Sequence, residues 1–124
     1  MSHYGLQKAK VKGFKAVPLP AFLEGPARMM GYVDTDTARE MFNNVKKTDI
    51  YDSKLGMYKT SASIEECSME NGRCRAFTPG WQERENVFLH MEYKYMLAMI
   101  KAGLYDEFYE TVTRALVPFL DPNM

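Results

Sequence analysis

The sequence predicts an all-α protein of helical hairpins with one long irregular loop, which includes a small β-hairpin. Three observations carry that expectation. In "DTDTAREMFNNVKK" the apolar residues Ala38, Met41, Phe42 and Val45 fall at i, i+3, i+4 and i+7, the stripe of an amphipathic helix. From Asn86 to Lys101 apolar side chains recur almost all the way round, as they do in a helix covered by neighbours on several sides. The two halves also resemble each other: "ARMMGYVDTDTAREMF" and "LAMIKAGLYDEFYETV" each pass from a Met-containing apolar helix through Gly and an aromatic to an acid and an amphipathic helix. Repeated inner and outer helix pairs of this kind build solenoids and helical toroids.

Residues 1–19 read as an N-terminal basic arm, with Lys8, Lys10, Lys12 and Lys15 and no acid. "LPAFLEGPARMMG" reads as a short apolar helix, interrupted at Gly25-Pro26 and closed by Gly31. Asp34 or Asp36 caps the amphipathic helix that follows, and Lys46 and Lys47 suit the negative end of its dipole. Thr48 to Trp81 shows no sustained helical period. Loops beyond about 15 residues inside compact domains are uncommon and often functional. Within it, "YDSKLGMYK" fits a hairpin around Asp52 to Gly56, and Asn71-Gly72 marks another turn. The inner helix then runs from Asn86 to Gly103. An outer helix follows, with Leu104, Phe108, Val112, Ala115 and Leu116 on one side, until Pro118. The expected organisation is an arm over 1–19, a partial toroid domain over 20–119, and a tail over 120–124 that looks truncated.

A chain of 124 residues with 46% apolar and 26% charged side chains has room for one globular domain. Sixteen basic and sixteen acidic side chains cancel, so nothing in the overall charge points to nucleic acid or to an anionic membrane. No secretory h-region follows Met1, and no apolar run approaches the roughly 18 residues of a membrane span. The expectation is a cytoplasmic protein. Cys67 and Cys74, in "ECSMENGRC", lack a recognised zinc spacing, so two reduced thiols and no metal are expected.

The densest chemistry lies in "FTPGWQERENVFLH", where aromatic, turn and carboxylate groups converge on one helix end. If the inner helix reaches back to Glu83, then Glu83, Val87, His90, Lys94 and Lys101 project within about 40° of one another. For Lys94 and Lys101 the plain alternative is a stripe facing water. Glu92 points the opposite way, among Phe88, Leu89, Met96 and Met99, where a carboxylate needs a partner or an altered pKa. An ion pair with Arg28 or Arg73 is the simplest account. Trp81 serves either as a plug over the helix end or as a platform for the apolar face of a sugar ring.

"PGWQERENVFLH", followed by an apolar helix, "AGLYDEFYE" and a second helix, resembles the late catalytic-domain segment of the cellobiose-phosphorylase-like enzymes. There a Pro-Gly turn, a Glu-Asn and a His on an inner helix precede such a helical pair. "PLPAFLEGPARMM" and "IYDSKLGMYKTSASIEE" also look like this group, so the resemblance spans roughly Val17 to Phe119. It implies an (α/α)6 toroid whose inner-helix ends and loops line a site for a di- or oligosaccharide. No cofactor is implied, with inorganic phosphate as a candidate co-substrate. In such phosphorylases an Asp protonates the glycosidic oxygen while phosphate attacks the anomeric carbon with inversion.

Aligned without gaps from Pro79-Gly80 to His90, the family's Glu falls on Glu83 and its Asn on Arg84, a departure. Glu83, His90 and Trp81 are therefore the expected substrate-binding residues, with Glu85 and Asn86 as second choice and none assigned to catalysis. The family's Trp-Asn-Asp general-acid motif and its glycine pair do not occur here. These absences leave hydrolysis or another glycoside open, and the chain alone is expected to be inactive. Its expected partners are the rest of a catalytic domain or a second copy of itself. The rival expectation is a small helical repeat module that binds a protein partner through exposed tyrosines and methionines, without chemistry.

Overall fold

The computed structural model describes residues 3–5 and 10–123. Lys8 of the expected arm and Met124 of the tail lie outside the described residues; Lys10, Lys12 and Lys15 are exposed on irregular chain. The first helix, α1, spans Glu24–Met29 and continues as a 3-10 turn over Met30–Tyr32. Gly25-Pro26 therefore opens this helix rather than interrupting it. In the first turn a proline forfeits no helical hydrogen bond, because its missing N–H would have had no partner. Gly31 does not close the helix either; it sits inside the 3-10 turn.

The amphipathic stripe forms α2 (Thr35–Val45), with Ala38, Phe42 and Val45 buried. Of the two candidate caps, Asp34 takes the role: its carboxylate accepts the Thr37 N–H at 2.9 Å. That bond, with a second from the Thr37 hydroxyl, holds the Asp34 carboxyl below its ordinary pKa. Two antiparallel strands follow, β1 (Tyr51–Asp52) and β2 (Met57–Tyr58), with Tyr51 opposite Tyr58 and Asp52 opposite Met57. The Asp52 carboxylate accepts the N–H groups of Lys54 and Leu55 at 2.9 and 3.1 Å, and Gly56 takes φ +69° to close the turn.

Past the hairpin the chain is not free. Thr60 O accepts Leu23 N–H at 3.0 Å, while Thr60 N–H donates to Asn86 O at 2.8 Å. The segment after β2 is thereby clamped between the approach to α1 and the approach to the third helix. That helix, α3, spans Leu89–Lys101, and the fourth, α4, spans Tyr105–Ala115. A Schellman closure ends α3: Leu104 N–H reaches Met99 O at 2.8 Å and Gly103 N–H reaches Ile100 O at 3.1 Å, with Gly103 at φ +78°.

α3 packs against α1 on one side and α4 on the other. At the centre the Tyr95 ring stacks on Phe42 (centroids 6.4 Å apart) and meets Tyr58 edge-on at 5.1 Å. α3 is central, as expected, yet not wholly covered: Tyr93, Leu97 and Ile100 remain exposed along one side. The described chain is thus mostly helical with one small two-stranded sheet. No described helix is long and apolar enough to cross a membrane.

Candidate functional site

The segment before α3 does not continue the helix back to Glu83. Gln82 and Glu85 adopt φ +53° and +56°, the only left-handed non-glycine residues among those described. Such backbone costs energy in L-residues and persists only where surrounding contacts impose it. Here the contacts are plain. Gly80 N–H bonds Arg84 O at 2.8 Å, Arg84 N–H bonds Trp81 O at 3.1 Å, and Glu85 N–H reaches the Ser61 hydroxyl at 3.0 Å. Asn86 O is taken by Thr60, and Val87 bridges to Lys59. With these backbone groups spent on the neighbouring strand-like segment, the helix starts only at Leu89.

Arg84 organises the turn. Its guanidinium is buried and donates to the carbonyls of Arg75 and Phe77 at 3.2 and 2.8 Å, and to the Glu65 carboxylate. Glu85 Oε1 lies 3.5 Å from Arg84 Nε. A planar guanidinium can satisfy several acceptors at fixed angles at once, which a lysine cannot. In the sequence Arg84 stands only as a departure from a family pattern, and its one signal is a lone cation between Glu83 and Glu85.

Held on this frame, Trp81 is 57% exposed and meets Phe77 edge-to-face with centroids 5.3 Å apart. It is not a plug over the helix end. Glu83 pairs through Oε1 with Arg73, while Oε2 is enclosed and has no donor. His90 stands exposed in the first turn of α3, edge-on to Phe88 at 4.3 Å. The expected single helical stripe of Glu83 and His90 therefore does not exist, because Glu83 is not on the helix. Trp81 and Glu83 share one turn, and His90 belongs to another setting. Glu85 and Asn86, the second choices, anchor the turn to Ser61 and Thr60 through their backbone N–H and C=O groups.

The Arg28 guanidinium hydrogen-bonded to Glu24 holds that carboxyl below its ordinary pKa, with smaller contributions from Lys94 and His90. Between α1 and α3 lies a cleft of about 430 Å3, lined by Glu24, Arg28, Tyr32, Lys94, Leu97 and Lys101 among others. Lys94 and Lys101 are exposed, as the plain alternative expected, and they form one wall of this cleft. Trp81, Glu83 and His90 line neither this cleft nor the three smaller depressions elsewhere.

Glu92 is fully buried, and the expected arginine is not there. Arg28 pairs with Glu24, and Arg73 with Glu83. Glu92 Oε1 accepts the Tyr58 N–H at 3.2 Å and Oε2 has no partner. Burial pushes its carboxyl up to about 7, partly offset by the Tyr58 bond. It titrates near neutrality, yet it ties β2 to α3 inside the core and does not open on the Trp81 turn.

Cys67 and Cys74 are free thiols. Among the described residues no group of three or more His, Cys, Asp or Glu side chains is placed to hold a metal. No family model, curated protein or solved structure matches the chain.

Proposed function

We propose that the chain is part of a carbohydrate-active enzyme, a glycoside phosphorylase or related hydrolase, and contributes a sugar-binding segment within an (α/α)6 toroid. The observation that supports this reading is the Thr78–Glu85 turn. A strained backbone, fixed by one buried arginine, presents an exposed indole beside a carboxylate with an unsatisfied oxygen. Trp81 offers a flat apolar surface to the C–H face of a sugar ring. Glu83 Oε2 lacks a donor that a sugar hydroxyl would supply once the exposed Arg73 side chain swings aside. The role is positioning; the acid that protonates the leaving group is not among these residues.

Fluorescence of the single tryptophan provides the test, titrated with β-linked disaccharides with and without inorganic phosphate. A saturable change is expected. Glu83→Gln should weaken it by about 1 to 3 kcal/mol, the loss of a charged hydrogen bond, while Lys47→Gln leaves it unaltered. No saturable change with any sugar would remove the reading. A non-enzymatic module that binds a protein partner is the second reading, favoured by the open apolar side of α3.

A further inference from the structure

α3 and α4 together present a face that none of the described residues covers. On α3, Tyr93, Leu97 and Ile100 recur at i, i+4 and i+7, all exposed, Leu97 by 50%. On α4, Tyr105 and Tyr109 stand out, the latter 65% exposed. Between the two ridges runs an apolar groove of about 330 Å3, with Met96, Phe108 and Val112 among its lining residues. Contiguous apolar surface of this kind, rimmed by polar groups, marks an interaction site.

Charge runs across this face in order. At about 100° per residue, Lys94 and Lys101 lie on the edge of α3 that borders the α1 cleft, beyond Leu97 and away from α4. Asp106 lies on the opposite outer edge, beyond Tyr109. Among the described residues neither Lys101 nor Asp106 has an ion-pair partner within the chain. Lys101 ends α3 and Asp106 stands in the first turn of α4, so both are at the end of the hairpin closed by Gly103. The face therefore has a basic edge, an apolar centre and an acidic edge.

We infer that this face is the interface of a two-fold symmetric dimer of the chain, in which each α3 lies antiparallel over the partner's α4. The charge order selects the symmetry. A two-fold axis parallel to the helices swaps left and right edges but keeps position along the helices. The basic edge then meets the acidic one, and Lys101 faces the partner's Asp106. An axis across the helices would stack α3 on its own copy and set Lys94 and Lys101 against like charges. The chosen arrangement is isologous and closes at two copies. It buries the Leu97 and Tyr109 ridges in each other's grooves, the geometry of a four-helix bundle. Nothing in it depends on the sugar reading.

Sedimentation equilibrium over a concentration series, with native mass spectrometry, tests the assignment on the full chain. A monomer–dimer equilibrium is expected, weakened by salt because the edge pairs are exposed. Lys101→Glu and Asp106→Lys are surface changes that preserve the fold, checked by circular dichroism. Each alone should raise the dimer Kd about tenfold or more, since symmetry converts two attractive pairs into two repulsive ones. Mixed together, the two variants should form a heterodimer in preference to either homodimer, because both opposite-charge pairs are then restored. Leu97→Lys should give a folded monomer. A chain that stays monomeric at every concentration overturns the proposal and leaves the face to a different protein segment. Charge reversals without effect, or a mixture with no preference for the heterodimer, overturn it equally.

Discussion

Glu92 sits in the core with one hydrogen bond and no cation beside it, so its charge is the expensive form. Its carboxyl holds a proton up to about pH 7 in the folded chain, against an ordinary value of 4.5 once unfolded. Between those values the folded state binds a proton that the unfolded state has released. Its contribution is therefore fully present below pH 4.5 and is lost as pH rises through about 7. The loss amounts to roughly 3 kcal/mol. Urea melts from pH 5 to pH 8 should show wild-type stability falling with pH, while Glu92→Gln shows a flatter profile and is the more stable of the two at pH 8. Parallel profiles would assign the slope to other groups. Arg84 carries the opposite sign, since its buried charge is well surrounded. Arg84→Met leaves the Arg75 and Phe77 carbonyls and the largely buried Glu85 carboxylate without their cation and should cost about 3 kcal/mol. Hydrogen exchange should quicken from Ser61 to Val87 while α2 and α4 stay protected.

Among the elements, the two hairpin closures differ in what their glycines must do. Gly103 at φ +78° makes the α3–α4 turn, and a Cβ there would meet Thr35 Oγ1 at 3.5 Å, ordinary contact. Gly103→Ala should therefore cost only the left-handed backbone, about 1 to 2 kcal/mol. Gly56 at φ +69° adds a steric demand, because its Cβ would stand 3.2 Å from Arg114 Cγ. Gly56→Ala should cost more than Gly103→Ala and should loosen the contact between the β-hairpin and α4. Thermal melts of both variants check the order; equal costs would mean that Arg114 yields freely. The periodicity of α2 was legible because its apolar stripe and its cap are local features. The start of α3 was not, because the residues before it have helical composition and are held out of the helix by Ser61 and Thr60.

For the whole molecule, the open α3–α4 face links stability to concentration. If folded chains pair and unfolded ones do not, mass action stabilises the fold as protein concentration rises. Calorimetric Tm should fall across a dilution series of the wild type and stay constant for Leu97→Lys. A constant Tm in both would disconnect the face from folding. The same arrangement separates two surfaces: the Trp81 turn lies before the start of α3, while the dimer face runs along its length. Sugar titration and self-association are therefore expected to be independent, and Lys101→Glu should leave the Trp81 response intact.

The sequence by itself determined what depends on neighbours in the chain: four helices, an aspartate cap at position 34 or 36, the Gly103 stop, the turn at Gly56 and the exposure of Lys94 and Lys101. It also drew attention to Trp81, Glu83 and the buried position of Glu92. Only the tertiary structure decided which partners those residues have. Arg84 rather than Glu83 became the hub, because it is the residue that faces the Arg75 and Phe77 carbonyls and Glu65 at once. Glu92 was left without an arginine because Arg28 and Arg73 found carboxylates nearer in the chain, four and ten residues away. Helical period is a property of consecutive residues. The pairing of a buried charge is settled by which distant segments the fold brings against it.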